Sequence, residues 1–174
     1  MFQLRFHVLL FRFSVLSVMF GGLALLVPTA ASLAQSFQPD FQFDQWFADH
    51  PPGFHVYQVV RENGDRFEFS CDVAFTEKGG ATAIVVVQGL EPAPNSDVEV
   101  TIDGTRTFKL MFDRNRIVRT DCEECAFAYT RLWQAVRLGN RMSVRLANGQ
   151  TGEFPLKGTA AVIPATPCKP DFER

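Results

Sequence analysis

Three short turn signals, each set between runs of strand-forming residues, constrain the fold of this chain more than any other feature. Asn63-Gly64, Asp103-Gly104 and Asn148-Gly149 are pairs that adopt the positive φ angles of tight hairpin turns. The flanking runs are rich in Val, Phe and Thr, and apolar and polar residues alternate from residue 66 to residue 75. We therefore expect a mainly β fold, an antiparallel β-sandwich-like domain built from hairpins.

Two further segments complete this predicted fold. The β-branched run Thr82–Val87 is typical of a central strand that is covered on both faces. Apolar residues at spacings of three and four predict one short helix of about two to three turns, from roughly Tyr129 to Leu138. Asp121 and Thr130 are candidate N-caps of this helix, and Gly139 is the expected residue after its end.

Residues 1–34 have the pattern of a signal peptide. Arg5 and Arg12 precede an apolar stretch from Phe13 to Val27, and small residues follow, which predicts cleavage between Ala34 and Gln35. The alternative is an uncleaved anchor helix, since the apolar stretch is nearly long enough to span a bilayer. With no cysteine at the cleavage site, a lipid anchor is not expected. We expect a periplasmic or secreted protein.

Removal of the signal peptide leaves 15 basic and 19 acidic side chains, a formal charge of −4. This charge makes nucleic acid a poor partner. We divide the remaining chain into an aromatic segment, residues 35–53, and a single β-rich domain, residues 54–174, of a size that buries an ordinary core. The mature domain is not expected to span a membrane.

All four cysteines lie after residue 34, an even number in a chain sent to an oxidising compartment, so two disulfides are predicted. We favour Cys71 with Cys168 and Cys122 with Cys125, because the first bridge closes a long loop and secures the C-terminal tail. The alternative joins Cys71 to one member of the local pair and Cys168 to the other.

The segment Cys122-Glu123-Glu124-Cys125 also raises the possibility of thiol–disulfide exchange. Activation of a thiol needs a helix N-terminus or nearby cations, whereas two glutamates separate these cysteines and Asp121 precedes them. A βαβ context is missing as well. We favour a structural bridge over a redox site, and over a zinc site that would need the distant Cys71 and Cys168.

The aromatic segment contains five large aromatic residues among Gln and Asp: Phe37, Phe41, Phe43, Trp46 and Phe47. We favour the interpretation that it covers an open face of the core, because large apolar side chains are usually buried. The alternative is that these five residues form a partner-binding patch.

His50 and His55 are the histidines of the mature chain. Pro51-Pro52-Gly53 separates them, a spacing that we do not expect to bring two ligands together, so no metal site is predicted. Neither a Gly-X-Ser-X-Gly elbow nor a glycine-rich nucleotide loop occurs in the sequence. We therefore predict no catalytic residues and no cofactor.

Taken together, these features resemble the invasion-associated locus B family of exported proteobacterial proteins. The resemblance is best in Leu132–Gly139, Met142–Leu146 and Phe154–Ala161, and it extends more loosely over Phe67–Phe112. It implies a β-sandwich-like periplasmic or surface-associated domain without known catalytic residues. We expect a non-enzymatic module that binds an unidentified protein or envelope component, with a thiol–disulfide oxidoreductase using Cys122 and Cys125 as the alternative.

Overall fold

The computed structural model describes residues 42–74 and 80–173. The predicted signal peptide therefore lies outside the described residues, and so do Phe37 and Phe41 of the aromatic segment. Within them, eight strands form two antiparallel sheets of four strands each, as the turn signals predicted. The two disulfides and the β-sandwich-like character of the domain are also confirmed.

The first sheet contains the strands in sequence order: β1 (Trp46–Asp49), β2 (Phe54–Val60), β3 (Arg66–Asp72) and β4 (Ala81–Val86). The second sheet has the order β6-β5-β7-β8, with β5 (Asp97–Ile102), β6 (Arg106–Met111), β7 (Arg141–Arg145) and β8 (Thr151–Pro155). The edge strands β6 and β8 therefore flank the pair β5 and β7.

The three predicted hairpins are β2–β3, β5–β6 and β7–β8. Gly64, Gly104 and Gly149 have φ angles of 85°, 70° and 88° at their turns. Asp103 is also left-handed, at φ 53°, which gives its turn the two consecutive positive φ angles of type I′. These local turn preferences account for the pairing of the strands within each of the three hairpins.

The prediction that Thr82–Val87 forms a central strand was wrong, because β4 lies at the edge of the first sheet. A crossing segment covers this edge: the amide of Val118 donates to the carbonyl of Ala83 at 3.4 Å, and Thr120 Oγ1 donates to the carbonyl of Ala81 at 3.0 Å. The β-branched composition of the strand thus reflects an edge that is covered by a loop.

Helix α1 (Glu123–Leu138) has 16 residues, so the predicted single short helix was too short. The apolar stripe begins at Cys125 rather than Tyr129, and the N-cap is Cys122 rather than Asp121 or Thr130. The helix ends at Gly139 as predicted, but with extended backbone at φ −84°. A Cβ at Gly139 would lie 2.6 Å from Ile102 Cγ2, so glycine is needed for close packing of the helix end on the second sheet.

Aromatic side chains connect the two sheets and the helix in one core. Phe67 contacts Phe154 of the second sheet with ring centroids 6.2 Å apart, and Phe69 lies 4.9 Å from Trp133 of α1. Trp133 Nε1 donates to the carbonyl of Pro164 at 2.8 Å, which fastens the segment after the short helix α2 (Thr159–Val162). A 3-10 turn at Asp171–Glu173 follows.

Candidate functional site

The Cys122–Cys125 disulfide lies at the N-terminus of α1, with Cα atoms 5.0 Å apart. Cys122 is partly exposed, whereas Cys125 is buried. The backbone amide of Cys125 donates to Cys122 Sγ at 3.1 Å. A helix N-terminus and an N–H donor are features that stabilise a thiolate. Because the helix was predicted to begin at Tyr129, neither feature was expected from the sequence.

Carboxylates oppose these favourable contributions. Glu123 and Glu124 occupy the first turn of the helix, and Asp121 immediately precedes the bridge. Arg119 pairs with Asp121 at 3.0 Å and holds the pKa of that carboxyl below its usual range, so Asp121 stays ionised. The guanidinium of Arg119 is thereby directed to Asp121. Three negative charges around the cysteines disfavour a further negative charge on sulfur.

The second disulfide joins Cys71 in β3 to Cys168 in the C-terminal tail, with Cα atoms 5.4 Å apart. The structure thus contains the pairing that we favoured from the sequence. A cleft of about 400 Å³ lies beside this bridge and is lined by Tyr57, Trp133 and Lys169 among others. Because Cys168 is buried, the bridge holds the tail against the core.

Three of the five aromatic residues predicted as a possible partner-binding patch, Phe43, Trp46 and Phe47, lie within the described residues, and they differ in exposure. Trp46 is only 6% exposed, contacts Phe67 and Phe69, and donates from Nε1 to the carbonyl of Pro155 at 2.7 Å. The Trp46 side chain is therefore part of the core. Phe47 is half-buried on the outer side of β1, and Phe43 is 50% exposed.

The two histidines lie side by side, contrary to the expectation from their spacing. Their ring centroids are 4.7 Å apart, with the rings inclined at 74°. Pro51-Pro52-Gly53 forms a tight turn closed by a 2.9 Å hydrogen bond from the amide of Phe54 to the carbonyl of Pro51. Gly53 has φ 84°, as the third residue of a type II turn requires. The turn therefore brings the two histidines together rather than separating them.

A groove that the sequence analysis missed lies between the edge strand β6 and the N-terminal half of α1. It has a volume of about 380 Å³. Its lining consists of three basic residues, two phenylalanines and two small residues: Arg106, Lys109, Arg131, Phe108, Phe127, Thr107 and Ala128. A sequence signal for it exists, since the apolar stripe of α1 leaves Phe127 on the opposite, outer face of the helix.

Phe127 is the most prominent apolar group of this groove, with 61% of its surface exposed. The guanidinium of Arg131, one helical turn later, lies 5.3 Å from the centre of the Phe127 ring, within the range of a cation–π contact. Within the described part of the chain, Arg131 has no carboxylate partner. Its positive charge is therefore available to a ligand.

The other two cations of the groove are paired. Lys109 Nζ lies 2.7 Å from Asp97, whose hydrogen bond raises the pKa of the ammonium group, and Arg106 lies 3.3 Å from Asp103. The Lys109 ammonium group thus remains charged at neutral pH. The groove combines fixed positive charge with exposed aromatic surface on a domain whose net charge is negative.

Residues 42–74 and 80–173 contain neither a cluster of metal-binding side chains nor a helix suited to crossing a membrane. No three His, Cys, Asp or Glu side chains in these ranges come together as a metal site. No helix in the same ranges is long and apolar enough to cross a membrane.

The model of the YfjT family matches residues 44–163. The chain belongs to the YfjT family. The YfjT match includes both sheets and both α-helices, with the β6–α1 groove and the Cys122–Cys125 bridge, and it ends before Cys168. No curated protein and no solved structure matches the chain.

Proposed function

We propose that this YfjT-family protein is an exported, non-enzymatic binding module of the cell envelope that holds a partner protein in the β6–α1 groove. The observation that carries this proposal is Phe127, an aromatic side chain that is 61% exposed beside the unpaired cation Arg131. Exposed aromatic and arginine side chains are the residue types that contribute most to protein interfaces.

Export is supported by two independent features. Residues 1–34 have the arrangement of charge, apolar core and small residues that signal peptidases process. The four cysteines form two disulfides, which persist in oxidising compartments such as the periplasm. The resemblance to the invasion-associated locus B family implies the same location and is part of this proposal.

The chemistry of the groove favours binding over catalysis. An arginine guanidinium stays protonated in proteins, and the pairing of Lys109 with Asp97 keeps that ammonium group charged. Such groups attract anions but do not exchange protons at neutral pH. The rest of the lining is apolar or small, which suits burial of a side chain from a partner.

Charge complementarity defines the partner that we propose. Arg131 is without a carboxylate in the described residues, and a carboxylate from the partner would form the missing pair. We infer that the groove binds an acidic segment of an envelope protein, with an apolar side chain of that segment against Phe127. Steering by these charges predicts that association weakens as salt concentration rises.

A comparative pull-down from envelope extract tests this function. The wild-type protein should capture one envelope protein reproducibly, and Phe127→Ser and Arg131→Glu should each lose it. Leu138→Ser is the matched control for the first variant, because Leu138 lies on the same outer face of α1 and is 66% exposed. Arg114→Glu, at an exposed arginine outside the groove, is the control for the second.

Capture that survives in Phe127→Ser and Arg131→Glu would show that the partner binds elsewhere. Equal loss in the control variants would show that capture depends on general hydrophobicity or charge. Either result rejects the groove as the binding site.

A thiol–disulfide oxidoreductase is the second candidate, and the position of Cys122 at the helix N-cap favours it. The first cysteine is partly exposed and the second is buried, and access to the attacking sulfur is a requirement of such exchange. The rate of alkylation of the reduced protein, measured against pH, distinguishes the two functions. An enzyme should show a thiol with a pKa well below about 8.5 together with catalysed disulfide exchange, whereas a structural bridge should show neither.

A further inference from the structure

The paired histidines are directly opposite each other in the continued register of the first hairpin. Asp49 pairs with Val56, and Ala48 with Tyr57, so His50 falls opposite His55 one position beyond the end of β1. Residues in this relation project from the same face of a sheet, with Cβ atoms about 4.5–5.5 Å apart. The type II turn at Pro52-Gly53 limits the backbone freedom between them.

Both imidazole side chains are exposed to solvent. The side chain of Asp49 accepts a hydrogen bond from the amide of His50 at 2.8 Å, which helps to fix the backbone at this position. Two imidazoles on one hairpin can act together as a bidentate ligand for a first-row transition metal, with water completing the coordination.

The separation of the rings indicates which metal geometry fits. A metal bonded to imidazole at about 2.0–2.1 Å lies roughly 3.2 Å from the ring centroid. Two centroids 4.7 Å apart then subtend about 95° at a shared ion. This angle is near the 90° between neighbouring ligands of a square-planar ion and below the tetrahedral angle. Tetragonal nitrogen and oxygen coordination is typical of copper(II), which also binds such sites most tightly among divalent first-row metals.

We propose that His50 and His55 chelate one copper(II) ion at the turn between β1 and β2. The site uses two protein ligands. It is therefore compatible with the absence, among the described residues, of any cluster of three or more His, Cys, Asp or Glu side chains. It is independent of the β6–α1 groove, since the two sites share no residue.

Titration of the untagged periplasmic protein with copper(II), followed by calorimetry and by electron paramagnetic resonance, tests the site. The wild type should bind one ion with two nitrogen ligands in the resonance spectrum. His50→Ala and His55→Ala should each lower the affinity by about ten- to a hundredfold, because the second ligand of a chelate binds at high effective concentration. The double variant should bind no more tightly than either single variant.

These substitutions are at exposed positions, and unchanged thermal unfolding without metal would show that each variant is folded. Zinc(II) provides a second comparison, and it should bind more weakly than copper(II). The proposal is wrong if each single variant retains wild-type affinity, if the wild type binds two ions that the variants lose one at a time, or if the double variant binds copper(II) as the wild type does.

Discussion

Loss of the Cys71–Cys168 bridge should destabilise the protein far more than loss of the Cys122–Cys125 bridge. The first bridge joins residues 97 apart in sequence, and the second joins residues 3 apart. In the chain-entropy description, a bridge stabilises the fold by restricting the unfolded chain, and the effect grows with the length of the closed loop. This relation gives about 4.7 kcal/mol for the long loop and about 1.9 kcal/mol for the short one.

The matched double variants are Cys71→Ala/Cys168→Ala and Cys122→Ala/Cys125→Ala, which leave no unpaired thiol from the deleted bridge. For a domain of this size, 1 kcal/mol corresponds to about 3–4 °C in Tm. The first variant should therefore unfold on the order of 15 °C below the wild type, and the second about 6 °C below it. Differential scanning calorimetry under non-reducing conditions measures both shifts.

Equal shifts, or a larger shift for the local bridge, would contradict this reasoning. Non-reducing peptide mapping checks the pairing on which it depends. A peptide that contains Cys168 linked to the peptide of Cys122 and Cys125 would show that the assignment is wrong.

Three other substitutions test a close packing contact at Gly139, the buried hydroxyl of Tyr129 and the buried carboxyl group of Glu68. Gly139→Ala should lower the free energy of unfolding by about 1–3 kcal/mol, because its Cβ would overlap Ile102; an unchanged Tm would contradict the close approach. Tyr129→Phe should raise stability by about 1 kcal/mol, because the Tyr129 hydroxyl is buried without a hydrogen-bond partner in the described residues; destabilisation in urea would reveal a partner. Burial raises the pKa of Glu68 above its usual value, and the nearby Arg66 lowers it by a smaller amount. The stability that protonated Glu68 contributes is therefore fully present below its unfolded pKa of about 4.3, and it is lost as pH rises through the higher folded pKa. Glu68→Gln should therefore exceed the wild type in Tm at pH 7, with a difference that shrinks as pH falls through the raised folded pKa toward about 4.3; a constant difference between pH 7 and about 4.3 would contradict the pKa shift.

The hairpins could be predicted from sequence because their determinants are local. The glycine of each Asn-Gly or Asp-Gly pair takes the positive φ that its turn needs, and alternation then sets which face of each strand is apolar. The position of β4 could not be predicted in this way. Its edge is covered by Val118 and Thr120, which lie more than thirty residues later in the chain.

The errors at the candidate sites have physical reasons too. Phe127 was not expected to lie in α1, because the helix was predicted to begin after the Cys122–Cys125 segment. The spacing of Cys125, Tyr129 and Leu132 nevertheless continues the apolar stripe of the helix toward its N-terminus. Helical or strand spacing alone does not bring His50 and His55 together, whereas a Pro-Gly type II turn places its flanking residues opposite each other. The β6–α1 groove joins segments distant in sequence, so only the tertiary structure brings Arg106 next to Arg131.

Site-specific photo-cross-linking in living cells tests the central claim, that the protein binds an envelope partner through the β6–α1 groove. A photoreactive phenylalanine analogue at position 127 should yield one discrete cross-linked envelope protein, because this side chain would lie within the interface. The same analogue at position 138, on the same outer face of α1 but outside the groove, should yield none. Absence of a product at position 127, or the same product at both positions, would contradict the account.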